Sequence, residues 1–345
     1  MGVVKADGYG HGMVQAAHAM LAGGATWLGT AHIGEGLELR RAGISAPVLS
    51  WIIPPGEPVG DGIAAGLDLG VSDMAVLETV VSEARRLDRT ARVQLKADTG
   101  LNRGGVSPGD WDRVVAAAAR AETDGLIKVS GIWSHFACAD EPGHPSIALQ
   151  LDAFHEALAT ADKAGLEPEV RHISNSAALL TLPEARFDLV RAGIAGYGLC
   201  PIPDLDVPGL RPAMTLESRV ALTKRVPAGS GVSYGHRYVT DRETSLALVP
   251  LGYADGVPRA ATNRGPVLLG DRARTIAGTV CMDQFVVDVG DDDVSAGEYA
   301  VLFGDPSRQP GAPTAQDWAT VLDTIPYEIV TRIGVRVPRE YTALP

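Results

Sequence analysis

The segments Ala91-Arg92-Val93-Gln94-Leu95-Lys96-Ala97 and Ile127-Lys128-Val129-Ser130-Gly131-Ile132-Trp133-Ser134-His135 flank the helical stretch Asp110–Ala121, and this arrangement sets the architecture. The two flanks are short and β-branched. In the middle stretch, apolar residues recur at three- and four-residue steps, the spacing of one face of a helix. A strand, a crossover helix and a second strand make one β-α-β unit with parallel strands. The same alternation extends in both directions. Further strands are expected at Val3–Lys5, Trp27–Ile33, Pro47–Ile53, Leu67–Ser72, Glu169–Ser174 and Leu189–Ala195, and further helices at Met13–Leu21, Gly34–Ala42, Ala75–Leu87 and Ser146–Ala164. Eight strands joined by crossovers predict an α/β fold, a (β/α)8 barrel of the TIM type.

The texture changes at the prolines of residues 201–212. Beyond them lie β-type segments at Leu216–Arg225, Ser245–Leu251, Pro266–Leu269, Ala273–Val280, Gln284–Val289 and Tyr299–Phe303, separated by Gly- and Asp-rich turns, with one helical stretch at Gln316–Leu322. The expected division is a cofactor-binding barrel over residues 1–209 and a mostly β C-terminal domain over 210–345.

The 345 residues are 46% hydrophobic and 21% charged, which suits a globular enzyme and excludes disorder. A net charge of −12 argues against a nucleic-acid partner, which needs a basic face. No apolar run approaches the roughly 18 residues of a membrane span. The N-terminus shows no signal peptide, and the cysteines at 138, 200 and 281 are odd in number and widely spaced, so a cytoplasmic protein with reduced thiols is expected. Lysine occurs only at positions 5, 96, 128, 163 and 224. Chemistry that needs an amine nucleophile therefore has five candidates.

Catalytic groups of such barrels sit at the C-terminal ends of strands. There this sequence places Lys5, Lys96-Ala97-Asp98, His135, Asn175-Ser176 and Arg191. A strand-end lysine shielded by Val3 and Val4 can have its amine pKa lowered, which suits Schiff-base chemistry. Two other patterns point elsewhere and are weak. Gly231-Val232-Ser233-Tyr234-Gly235 fits a G-x-S-x-G elbow, but no histidine follows His236 and the flanks read as β. The eight histidines form no metal-ligand spacing.

The stretch Val3-Val4-Lys5-Ala6-Asp7-Gly8-Tyr9-Gly10-His11-Gly12 resembles the pyridoxal-phosphate signature of bacterial alanine racemases. Further stretches resemble other blocks of that family, in family order: 95–104, 134–137, 174–177, 190–198, Val232-Ser233-Tyr234-Gly235, Gly252-Tyr253-Ala254-Asp255-Gly256, Cys281-Met282-Asp283-Gln284 and Arg336-Val337-Pro338-Arg339. The resemblance implies an enzyme that interconverts L- and D-alanine and supplies D-alanine for peptidoglycan. Its cofactor would be pyridoxal 5'-phosphate, joined to Lys5 as an aldimine. Tyr9, Ser176, Gly193 and Ile194 would hold the cofactor phosphate, with Asn175 beside them. Arg191 would face the pyridine nitrogen and be oriented by His135. Arg103, Tyr253, Met282 and Asp283 would meet the substrate. The two bases would be Lys5 and Tyr234, the latter reaching over from the second subunit of a homodimer. Lys96 matches a lysine that is carbamylated in some members. The alternatives of the same fold are a serine or broad-spectrum racemase and a non-catalytic cofactor-binding protein.

Two departures from the family pattern carry expectations. Members usually have roughly thirty residues ahead of the lysine motif, a long lead against the short starts of such barrels. The chain here begins Met1-Gly2-Val3-Val4-Lys5, so a truncated first strand, an open barrel seam and poor stability are expected. Val335 stands where some members carry a phosphate-contacting tyrosine, so that contact is expected to be lost.

Overall fold

The computed structural model describes residues 1–203 and 205–342. By the density of its contacts the chain divides into two compact units. One comprises Met1–Gly8, Gly12–Gly196 and Cys200–Pro208; the other comprises Tyr9–His11, Tyr197–Leu199 and Gly209–Pro345.

The first unit is a seven-stranded parallel sheet in sequential order: Gly2–Val3, Leu28–Thr30, Val48–Ser50, Asp68–Val71, Ala91–Lys96, Ile127–Trp133 and Val170–His172. Its core consists of side chains without exposure, among them Leu28, Leu49, Leu69, Val93, Leu95 and Ile132. The five expected helices form, at Met13–Ala22, Ile33–Arg41, Met74–Leu87, Pro108–Thr123 and Ser146–Lys163. Two further helices, Val59–Ala64 and Ser176–Thr181, were not read from the sequence. Both are six residues long, and Gly60 and Gly62 interrupt the first, so neither carries enough periodicity to register.

The expected open seam is not found. The first strand is indeed only two residues long, but both of its edges are paired. The amides of Gly2 and Val4 donate to the carbonyls of Trp27 and Gly29 on one side. On the other side the Val3 amide donates to Ala192 at 2.9 Å and the Ala192 amide returns to Met1 at 3.0 Å, making a parallel bridge between Gly2 and Ala192. Successive backbone groups of an extended chain point to opposite edges, so even this short segment can serve two neighbours. The segment around Val190–Ala192 occupies the eighth place as a bridge rather than a regular strand. The Asp188 amide donates to Arg171 of the seventh strand at 3.1 Å, and the Arg191 amide donates to Ser174, just beyond that strand, at 3.0 Å. Backbone hydrogen bonds therefore span the seam, while the regular sheet stays seven-stranded. Gly2 is required at the seam, because a Cβ there would lie 2.8 Å from Cβ of Met20.

In the second unit the strands are antiparallel, in sheets ordered 285–290, 244–249, 222–226 and 272–275, 266–269, 299–303, 216–219. The single strand expected at Leu216–Arg225 is two, Leu216–Arg219 and Leu222–Val226, which belong to different sheets. The expected strand Ala273–Val280 ends at Thr275, because Ile276 leaves for a bridge to Val287. Helices at Ala315–Leu322 and Pro326–Thr331 complete the unit. The fully buried Trp318 anchors the first of these, and its indole N–H donates to the Leu302 carbonyl.

Candidate active site

Lys5 lies two residues past the first strand, and the chain then does something rare. Ala6, Asp7, Gly8, Tyr9 and Gly10 all have positive φ, between 52° and 81°. A left-handed conformation costs about 1–2 kcal/mol at each non-glycine residue, so the turn persists only where its surroundings hold it. Glu35 accepts the Ala6 amide at 2.8 Å, and the Gly8 amide donates to Val4 at 2.9 Å. Asp7 accepts the Gly12 amide on its carbonyl at 2.8 Å and the Met13 amide on its carboxylate at 2.9 Å. The turn throws the chain away from the strand and leaves the Lys5 amine at the rim, 5.7 Å from the Trp51 ring centre.

Burial lowers the Lys5 pKa, the Arg103 charge lowers it further, and Glu35 opposes. Lys96 stands at the end of its own strand with Nζ 4.8 Å above the Trp133 ring. Its pKa is lowered to about 8, first by burial and then by the charges of Arg103 and Arg191. Both amines therefore hold neutral forms more readily than surface lysines do. Arg103 itself is exposed.

Arg191 is 4% exposed, and neutral groups surround its guanidinium. Its guanidinium donates to Nδ1 of His172 at 2.8 Å, Nδ1 of His135 at 2.9 Å, and the carbonyls of Ser134 and Ile173 at 2.8 and 2.9 Å. Burial and the Arg191 charge hold both imidazoles well below their usual pKa, so both rings are neutral acceptors. His172 was not singled out from the sequence. The available signal was a histidine at the end of a short strand, two residues before the polar Ser174-Asn175-Ser176.

Asn175 caps the helix Ser176–Thr181, its side chain accepting the Ala178 amide at 3.0 Å. The buried Ser176 hydroxyl oxygen accepts the amides of Gly193 at 3.0 Å and Ala195 at 3.3 Å, so this corner is lined by backbone donors.

In the second unit, Tyr9 is buried against Tyr197, with ring centres 5.0 Å apart, and against Tyr327. Three sequence blocks also converge. The Tyr253 and Ala254 amides donate to the carbonyls of Cys281 and Met282, both at 3.0 Å. The approach is so close that a Cβ on Gly252 would lie 2.2 Å from the Met282 oxygen. Arg336 bonds Asp283 at 2.8 Å and Asp255 at 3.0 Å. Ser233 donates to the Thr279 carbonyl at 2.7 Å, and Thr279 donates to the Tyr234 carbonyl at 2.7 Å. The serine thus follows a two-residue strand and serves as a structural donor, which disposes of the nucleophile-elbow reading. Tyr234, Tyr253 and Met282 are 75%, 44% and 53% exposed, and Val335 is fully in solvent.

Residues 1–201 match the family described as alanine racemase, N-terminal domain, and residues 213–341 match its C-terminal domain. The chain belongs to the alanine racemase family. It is 68% identical over 342 residues to the alanine racemase of Thermobifida fusca, covering 99% of this chain and 91% of that one. It is 50% identical to that of Mycolicibacterium smegmatis, covering 99% and 88%. The crystal structure of alanine racemase from D-cycloserine-producing Streptomyces lavendulae superposes with a TM-score of 0.97 at 58% identity, covering 100% of this chain and 91% of that chain. Family membership makes the protein a racemase, an isomerase. Each of these relatives is an alanine racemase by name, which leaves the serine-racemase and carrier readings without support.

Proposed function

We propose that the enzyme interconverts L- and D-alanine with pyridoxal 5'-phosphate, as a cytoplasmic homodimer whose bases are Lys5 and the partner subunit's Tyr234. The observation that carries this reading is the Lys5 amine, lowered in pKa by burial at the rim of the barrel behind a left-handed turn. A neutral amine is needed both to bond a carbonyl carbon and to take a proton.

The residues present fit the cofactor. Lys5 Nζ would hold its carbonyl carbon. The Ser176 hydroxyl, already accepting two amides, can give its proton to a phosphate oxygen, beside the backbone of Gly193 and Ile194 and with Tyr9 as a further donor. Asn175 fixes the helix that presents Ser176. Arg191, bonded to neutral acceptors, keeps its protons and can only donate to a ring nitrogen, so that nitrogen stays unprotonated. When bound, the cofactor supplies a sink for the electron pair left at Cα when its proton departs.

The work of the chain is to move that proton. Lys5 acts at one face of Cα and the partner subunit's Tyr234 at the other, so neither substrate nor intermediate has to turn over. Arg103 would hold the substrate carboxylate together with the backbone amide of the partner subunit's Met282, the partner subunit's Asp283 arriving beside it, and Tyr253 would meet the substrate. His135 orients Arg191. The exposed Tyr234, Met282 and Val335 form surface that a second copy would cover. Lys96 would carry a carbamate beside Arg103. Carbon dioxide would add to its neutral amine, forming an N–C bond and releasing one proton. We place the domain boundary at residues 209/210. For location, the three cysteines are unpaired thiols and no described helix is long and apolar enough to cross a membrane.

The test is conversion of L-alanine by the purified protein with added cofactor, read by chiral chromatography. D-alanine rising to near equality supports the reading. Turnover of serine or lysine in its place would overturn it.

A further inference from the structure

A buried carboxamide, that of Gln94, stands behind the Arg191 guanidinium that would face the cofactor nitrogen. Gln94 lies in the strand Ala91–Lys96, is without solvent exposure, and brings Oε1 to 2.8 Å from Nε2 of His172. The opposite nitrogen of that ring, Nδ1, meets Arg191 at 2.8 Å.

Hydrogen-bond accounting fixes the ring proton of His172 in this row. An arginine has donors only, so Nδ1 of His172 must be the acceptor. A neutral imidazole that accepts at Nδ1 carries its proton on Nε2, and that proton requires an acceptor, which the Gln94 oxygen supplies. The reversed carboxamide would set N–H against N–H. The orientation of Gln94 therefore follows from Arg191 through the ring between them.

The surrounding chain is shaped to hold this side chain. Gly131, the residue opposite Gln94 in the next strand, has no Cβ, and one placed there would lie 2.7 Å from Gln94 Cδ. The pairing of the two strands shifts register between Val93 and Gln94, at the point where Gln94 turns toward His172. Trp133 lies parallel to the His172 ring, 5.7 Å between centres and 5° apart, and so fixes the plane in which the two ring bonds run.

We propose that Gln94 is a positioning residue for racemisation: it locks His172 in the Nε2-protonated form, so that Nδ1 accepts from Arg191 and holds the guanidinium at its working place. The functional half of this inference rests on Arg191 facing the cofactor nitrogen; the tautomer half stands without it. Replacement by an apolar side chain leaves Nε2–H without an acceptor in a buried site. The ring can then move its proton to Nδ1, which faces the Arg191 donor and pushes it away.

The experiment uses the cofactor-loaded enzyme labelled with nitrogen-15 at histidine, with Gln94→Leu and Gly131→Ala compared with wild type. Gly131→Ala displaces the carboxamide while retaining both partners. The isosteric Gln94→Glu, whose charge draws His172 toward imidazolium, replaces either variant if it loses the fold. The expected result is a single Nε2–H pattern for His172 in wild type, an altered pattern in each variant, and kcat reduced about tenfold with a smaller change in KM, the scale on which supporting shells act. An unchanged His172 pattern in the variants overturns the tautomer lock. An altered pattern with wild-type kcat overturns the catalytic role and leaves the lock standing.

Discussion

Nη2 of Arg191 donates to Nδ1 of His135 at 2.9 Å, so a buried cation leans on a ring that is held neutral. Buried arginines usually sit against carboxylates. Two imidazoles and two carbonyls accept from this guanidinium, and a neutral acceptor leaves it its full charge.

Arg191→Glu should reverse that logic. A carboxylate at this place would favour a proton on the facing ring nitrogen, strengthen the electron sink and open side reactions. We expect racemisation to fall by at least tenfold and pyruvate formation per racemisation event to rise. Coupled pyruvate detection beside chiral analysis checks this, and an unchanged ratio would refute it.

Ser176→Ala removes one oxygen that accepts two backbone amides and would donate to the phosphate. A hydrogen bond to a charged group is worth about 1.5–3 kcal/mol, so cofactor affinity should weaken by roughly ten- to a hundredfold. Equilibrium dialysis of pyridoxal phosphate measures it, and wild-type affinity would contradict the assignment.

Much of this was legible in the residues, and the omissions have physical causes. Lys5, Lys96, His135, Ser176 and Arg191 drew notice in the sequence because polar groups at the close of apolar runs need a reason, although only Lys96 ends a regular strand in the structure. Gln94 and His172 were not, since a buried polar pair inside a strand looks like ordinary alternation until its partners are seen. The seam was misjudged because two residues are too few for a periodic signal, although one backbone group from each of Met1, Gly2, Val3 and Val4 suffices to bridge Trp27–Gly29 and Ala192. The left-handed run through Ala6 and Asp7 was equally hidden, because neither residue type announces positive φ.

Lys96 gives a pH dependence. Its ammonium pKa is lowered from 10.5 to about 8, so raising the pH through 8 removes a proton and exposes the amine lone pair. At a fixed concentration of dissolved carbon dioxide, carbamate occupancy should therefore rise between pH 7 and pH 9. Native mass spectrometry should show an added mass that is lost on acidification and absent in Lys96→Met. A mass without that addition across the range would contradict the modification.

Tyr234→Phe removes a proton-transfer group while leaving the Thr279 bond to its backbone carbonyl intact. The loss of a general acid–base should cost about 10²–10⁴ in kcat. Because Lys5 remains, α-proton exchange should survive for one enantiomer far above the other. Equal residual exchange of both would argue against opposite-face bases.

The most direct measurement is racemisation of L-alanine in heavy water by the cofactor-loaded wild-type enzyme, with deuterium at Cα of the first-formed D-alanine read by NMR and mass spectrometry. Two bases on opposite faces predict that the product takes its Cα hydrogen from solvent, so nearly all early D-alanine is deuterated while unreacted L-alanine gains label more slowly. D-alanine that retains the substrate's own proton would mean that one base serves both faces, and would contradict the pairing of Lys5 with Tyr234.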